Sequence, residues 1–192
     1  MKKIVLATLL ASGLMAADNG FYVGANVGAM NAKADSTWSW TNTTLNASDS
    51  GSDSSNSNAT AIELKVGYYF NGNNRINVAV DKAKFDGVDS FSSTVGYDYL
   101  YGTSVLKPFI GVFGNFSQFK PDGGSSFNGA YAGGQIGINY AVNEHVSVEI
   151  GGQYMVGSAK YSETIVSGTD TNSQSVDIKS KSNFFIGANY KF

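Results

Sequence analysis

The chain has 192 residues, a formal net charge of -2 and Cys 0. That size suits a single domain, and the missing cysteines exclude a disulfide framework and thiol catalysis. The slightly acidic balance offers no basic surface for nucleic acid, while 23 Gly, 11 Tyr and 12 Phe against 2 Pro favour strands and tight turns over helices.

Lys2 and Lys3 precede an apolar run from Ile4 to Leu14, and the small residues Ala16 and Ala17 follow. This order predicts a cleaved secretory signal peptide over 1–17, cut after Ala16 or Ala17, and one domain over 18–192. The run is too short for a membrane anchor, which needs roughly twenty apolar residues. Export is compatible with the absence of thiols, which are a hazard in oxidising compartments.

The segments that follow alternate with the period of a strand, whose side chains point to opposite faces in turn. Phe21 to Ala29 puts its apolar residues on odd positions and Tyr22, Gly24, Asn26 and Gly28 on even ones. Ile62 to Phe70 sets Ile62, Leu64, Val66, Tyr68 and Phe70 against Glu63 and Lys65. Arg75 to Asp81 sends Ile76, Val78 and Val80 one way. A fourth segment alternates Val95, Tyr97, Tyr99 and Tyr101 with Gly96, Asp98 and Leu100. The fifth, Pro108 to Phe116, is the least regular: Ile110, Val112 and Phe116 share a face, but Phe109 and Phe113 fall on the other. Tyr131 to Tyr140 opposes Ala132, Ile136, Ile138 and Tyr140 to Gln135, Gly137 and Asn139. Val146 to Val156 opposes Val146, Val148, Ile150, Tyr154 and Val156 to Glu149 and Gln153. The last run, Phe184 to Phe192, ends on an aromatic.

These are about eight strands, an even number and the smallest usual size for a closed transmembrane barrel. The mean hydropathy of -0.12 does not oppose that, because only alternate residues of such a strand meet lipid. Turns at Asn71–Asn74, Gly102–Lys107 and Ala141–His145 are short. The alternate connections are longer and rich in Ser, Asn, Asp and Gly, which orients the short turns to the periplasm and the loops to the cell exterior. The fold class expected is therefore all-β: a transmembrane antiparallel up-and-down barrel with lipid on the apolar face. A soluble sandwich or lipocalin-like barrel is the alternative, with the apolar face turned inward and charges outside.

The pattern of strands, turns and loops, with the ending Gly187…Tyr190-Lys191-Phe192, resembles the small OmpA/OmpX/opacity-type outer-membrane barrels of Gram-negative bacteria. Gly20-Phe21-Tyr22-Val23-Gly24 and Lys107-Pro108-Phe109-Ile110-Gly111 have the look of the same group. The resemblance implies an assembly signal at Gly187, Tyr190 and Phe192, where Phe185 departs from the pattern by replacing a usual polar residue. It implies residence in the outer membrane, contact with its lipid and lipopolysaccharide, and handling by barrel assembly machinery and periplasmic chaperones. The function it implies is structural or adhesin-like, with a narrow ion or small-solute channel as the alternative.

Where could chemistry sit? Glu63, Lys65, Arg75, Asp81, Asp98, Glu149 and Lys191 all fall on the inward face. Eight strands leave a bore that side chains just fill, so these charges are expected to pair as a polar plug. A switching ion path is the sharper reading of the same residues. A lipid-modifying rim enzyme would need a histidine beside a serine at the extracellular end, but the single histidine, His145, falls in a periplasmic turn. No zinc spacing, phosphate loop or calcium loop calls for a cofactor or metal.

The first loop, Asn31 to Asn58, has a composition too polar to bury a core and is expected to be mobile and solvated. Trp38 and Trp40 within it are expected to anchor at the lipid headgroups, or else to touch a partner. In the last loop, Tyr161–Val166 and Ser175–Ile178 flank Ser167–Asn172, predicting a hairpin that continues above the membrane. Its edge would let an extracellular ligand bind by strand addition.

Overall fold

The computed structural model describes residues 19–192, so the predicted leader and its cleavage lie outside the described residues. Eight strands follow: β1 (Gly20–Asn42), β2 (Ala47–Phe70), β3 (Asn74–Phe85), β4 (Val88–Leu100), β5 (Leu106–Pro121), β6 (Phe127–Ala141), β7 (Val146–Ser167) and β8 (Asp170–Lys191). Each runs antiparallel to the next, and β8 returns to β1 through pairs such as Val27↔Ile186, closing the barrel. Closure satisfies the backbone within the wall, as strands in a water-free medium require.

The two faces are inside out relative to a soluble protein. Ile62 and Ile136 on the exterior are 62% and 64% exposed, whereas Glu149, Asp98 and Arg75 are buried in the bore. Soluble monomers rarely expose apolar patches larger than a few hundred Å². A wall of Val, Ile, Leu and Phe around the whole circumference is stable only against hydrocarbon. The soluble alternative is thereby excluded.

Near the short turns the exterior changes from aliphatic to aromatic. Phe21 meets Tyr68 edge-on at 4.9 Å, Tyr68 meets Phe70 at 4.8 Å, and Tyr190 meets Phe192 at 5.1 Å. Amphipathic rings favour the headgroup level, so this is one interfacial girdle. Phe109 and Phe113, the irregular pair in the fifth strand, are ordinary lumen residues at 4% and 6% exposure. Alternation holds there too.

The loops differ from expectation. The segment from Asn31 to Asn58 is not a solvated loop: β1 and β2 stay paired from Gly20↔Tyr69 to Asn42↔Ala47. The connection between β3 and β4 is only Asp86-Gly87, with Gly87 at φ +72°. The asymmetry of the barrel thus lies in strand length. β1, β2, β7 and β8 have 23, 24, 22 and 22 residues, while β3 to β6 have between 12 and 16. Composition alone argues against strands in Ser- and Asn-rich sequence. Here β8 gives β1 a second hydrogen-bonded neighbour up to Asn42↔Asp170, and that pairing overrides the local preference.

Candidate functional site

The bore is built in layers, because alternate residues of eight strands converge on a narrow axis. At the short-turn end Tyr22, Tyr69, Leu100, Phe109 and Phe185 form an apolar cluster. Above and among them lies the charged layer. Arg75 donates through Nε to Asp98 Oδ2 at 2.7 Å and through Nη1 to Glu149 Oε2 at 2.9 Å. Lys65 pairs with the other oxygen of Glu149. Asn77 donates to Asp98 at 3.1 Å, Gln135 donates to its second oxygen, and Asn189 donates to Glu149 at 3.0 Å. The Arg75 guanidinium also lies 4.9 Å from the Phe109 ring centre. Each of these ions is paired, Arg75 donates further to Tyr69, and Asp98 and Glu149 accept further hydrogen bonds from Asn77, Gln135 and Asn189, which is what makes burial of charge tolerable.

Toward the other end comes a second, smaller polar layer. Lys181 donates to Ser117 Oγ at 2.6 Å and Asn115 Oδ1 at 3.1 Å, with Tyr131 4.7 Å from its ammonium. Above it Met30, Phe85, Phe119, Tyr131, Met155 and Ile178 belong to an apolar cluster that closes the bore. A void among the charged side chains, bordered by Glu63, Lys65, Arg75 and Glu149, measures about 10 Å³. That is room for one water. The charges are therefore enclosed between two apolar layers.

Of the predicted lumen residues, Lys65, Arg75, Asp98 and Glu149 form one connected cluster. Glu63 sits beside them, accepting from Asn26 Nδ2 at 2.7 Å. Asp81 is buried directly opposite Glu63 on the neighbouring strand and is not among the ion pairs of the cluster. Lys191 is half-buried at the short-turn mouth, 5.8 Å from the Tyr69 ring centre. Sequence reasoning missed Lys181. Extending the parity of Phe185 back through Asn183 reaches it, but only once β8 is known to begin at Asp170. Gly187 faces inward, and a Cβ there would overlap Asn26 Oδ1, so this glycine makes room for a lumen amide. His145 lies at the short-turn end, its Nδ1 2.9 Å from the Lys191 carbonyl and its ring stacked on Tyr190.

The long strands make a second feature. Pairing of β2 with β3 starts at Ala61↔Ala83, and pairing of β6 with β7 stops at Gly129↔Ala159. Beyond those rows only β2, β1, β8 and β7 continue, as a four-stranded sheet in that order. Register shifts at Lys33/Ala34 and Val156/Ala159 mark where it leaves the barrel. Such bulges bend strands at barrel rims. The hairpin tips are joined by Thr43 N donating to Thr169 O at 3.0 Å and Asn42 Nδ2 donating to Asp170 Oδ1 at 2.5 Å. The predicted hairpin of β7 and β8 is present, but with β1 and β2 as its other half.

Trp38 and Trp40 belong to this sheet and continue the lumen-side face of β1. Trp38 lies over Gly51, where a Cβ would come within 2.7 Å of its Nε1. Roughly 35 Å of extended strand separates it from Val27 in the lipid-facing band. The segment expected to fold back toward the headgroups is instead a rising strand paired with β2.

Neither a protein-family model nor a curated protein matches this sequence. Solved structures do match. The outer membrane protein OprG from Pseudomonas aeruginosa aligns with 90% of this chain and 96% of its own at TM-score 0.64 and 20% identity. Neisserial surface protein A aligns with 90% and 97% at TM-score 0.57 and 23% identity. The fold is the small outer-membrane barrel of the OmpA, OmpX and opacity type. At this identity the likeness concerns architecture. What distinguishes this outer-membrane barrel from a bare cylinder is its closed bore and its protruding sheet.

Proposed function

We propose that the chain is an outer-membrane surface protein whose bore is a stabilising plug and whose working part is the protruding sheet, an adhesin-like edge for partner strands. One observation carries the reading: β7 beyond Ala159 is hydrogen-bonded to β8 alone, leaving its other backbone edge open. Ile165 and Val166 on that edge are 59% and 68% exposed. Natural edges are usually blunted by proline, lysine or a covering element, and an open one is a template for an added strand. After Lys160 this edge carries no proline or lysine; its one charged side chain is Glu163, and only Tyr161 at its base is in ring contact with Phe127.

The apolar layers above and below the charged cluster argue against the conducting alternative, since ions would have to cross both. The lone His145 at the opposite end from the sheet gives no support to a rim enzyme. Adhesion of cells displaying the protein to matrix-coated or epithelial surfaces tests the proposal. Deletion of Ser162–Asp177 should remove the adhesion while the barrel still folds; adhesion at the undeleted level would overturn it.

A further inference from the structure

The protruding sheet has two faces of opposite character, because side chains alternate along each of its strands. On the lumen-side face Gly51, Trp38, Gln174 and Glu163 form one row across β2, β1, β8 and β7. Asp49, Trp40 and Asn172 stand in the next row up, and Asp53 and Tyr161 in the next row down. Trp38 covers Gly51 and is still 44% exposed. Tyr161 donates to Glu163 Oε2 at 3.2 Å. At the base of the face Phe127 stacks on the buried Phe119 at 5.4 Å and meets Tyr161 at 5.7 Å. An aromatic surface therefore runs from the seal of the bore up onto the sheet.

The charge on this face has one sign. Its carboxylates are Asp49, Asp53 and Glu163, all exposed, with Asp170 at the tip held by Asn42. No lysine or arginine lies on it among the described residues. Lys33, Lys160 and Lys179 belong to the opposite face, together with Asp35 and Asp177. Across the opening, Lys84 and Lys120 turn to the exterior of the short wall, where they stand in register with Asp89.

We infer that the lumen-side face of the protruding sheet is a docking surface for an extended cationic segment of a partner protein, bearing arginine or lysine on alternate residues. Aromatic rings attract cations to their faces, and neighbouring carboxylates fix a guanidinium or ammonium group by charge-assisted hydrogen bonds. Trp38 and Trp40 are two positions apart on one strand, about 6.8 Å, which is also the repeat of same-side residues in an extended peptide. A second copy of this sheet would set the same carboxylates against one another, and phosphate or sulfate groups would be repelled. The inference rests on the surface-protein reading of the sheet but uses its face, not its open edge.

Both tryptophans of the chain lie on this face, so intrinsic fluorescence reports on it alone. The full barrel in phosphatidylcholine nanodiscs is titrated with a labelled peptide of alternating arginine and serine, and with the same peptide carrying citrulline in place of arginine. The arginine peptide should change the tryptophan emission saturably, weaken as salt is added, and outbind the citrulline peptide. Asp49→Asn with Asp53→Asn, and separately Glu163→Gln, should migrate as folded barrels and lose up to about fivefold in affinity per carboxylate, read from peptide anisotropy. Trp38→Ala should lose about two- to fivefold. Equal binding of the two peptides, a comparison that needs no variant to fold, overturns the inference, as does unchanged affinity in the carboxylate variants. Saturable quenching by chitohexaose without a response to the arginine peptide would make the face a neutral-glycan site and overturn the peptide assignment. Val166→Lys blunts the β7 edge from the opposite face and should keep peptide binding; its loss there would move the peptide to the edge and overturn the inference. Adhesion unchanged in Val166→Lys, with peptide binding kept, counts against the edge reading and supports this one.

Discussion

Arg75 on β3 and Glu149 on β7 meet across the bore, Nη1 to Oε2 at 2.9 Å, from strands on opposite sides of the eight-membered ring. The contact ties together walls that share no backbone hydrogen bond. Glu149 also holds Lys65 from β2, so one carboxylate serves two cations from the far side.

Glu149→Ala should therefore leave Lys65 and part of Arg75 buried without a counter-charge. Removing one partner of a buried pair costs about 3–5 kcal/mol. Urea unfolding from bilayers, followed by gel migration, measures it. A loss below about 1 kcal/mol, the median worth of exposed pairs, would mean that the bore is hydrated rather than plugged.

Planar-bilayer recordings of the wild type should show no discrete conductance, and Glu149→Ala should also stay silent. The apolar layer of Phe119, Tyr131 and Met155 remains closed when the charge pair is broken. Steps of conductance in the wild type would contradict the plug.

Gly111 and Gly114 on β5 make a matched pair. A Cβ on Gly111 would overlap Asp98 Oδ1 and lie 2.7 Å from the Tyr97 carbonyl, whereas one on Gly114 meets nothing within 4 Å. Gly111→Ala should destabilise by about 1–3 kcal/mol through overpacking and displacement of Asp98 from Arg75. Gly114→Ala should be neutral or slightly stabilising in the same unfolding assay.

On the exterior, depth decides cost. Leu64 sits midway along the apolar face of β2, while Val148 is the third residue of β7, close to its short turn. Leu64→Lys should cost about 2–4 kcal/mol and Val148→Lys about 0–1. Equal penalties in bilayer unfolding would contradict the depth assigned to these strands.

The Asp177 cluster gives a pH dependence at the base of the protruding sheet. Burial raises its carboxyl, but hydrogen bonds from Lys179 and Ser158 and the charges of Lys179 and Lys160 outweigh that and hold it below the ordinary value of 3.8. A depressed folded value means the contribution is present above the unfolded value and is lost as pH falls through the folded one. Hydrogen exchange of the amides around Lys160 and Asp177 should accelerate below about pH 4 in the wild type relative to the rest of the barrel. Asp177→Asn should abolish that step.

Much of this was legible in the residues. The two-residue period of Ile62–Phe70 or Val146–Val156 names both faces without any knowledge of the neighbours. Even the irregular Phe109 and Phe113 obeyed it once aromatic packing in the bore is allowed. The strands in the Ser- and Asn-rich stretch from Asn31 to Asn58 are not legible in its composition, because local composition reports only local cost. Its strands exist through partners more than a hundred residues away, such as Asn172 beside Trp40.

Alternation along the chain by itself determined an inside-out barrel, since side-chain direction in a strand depends on position parity alone. Tertiary structure decided which charges neutralise one another, how the bore is sealed and where the wall rises into a sheet. Those outcomes depend on shear and closure, which bring Arg75 to Glu149 and β8 to β1, and closure is a property of all eight strands together.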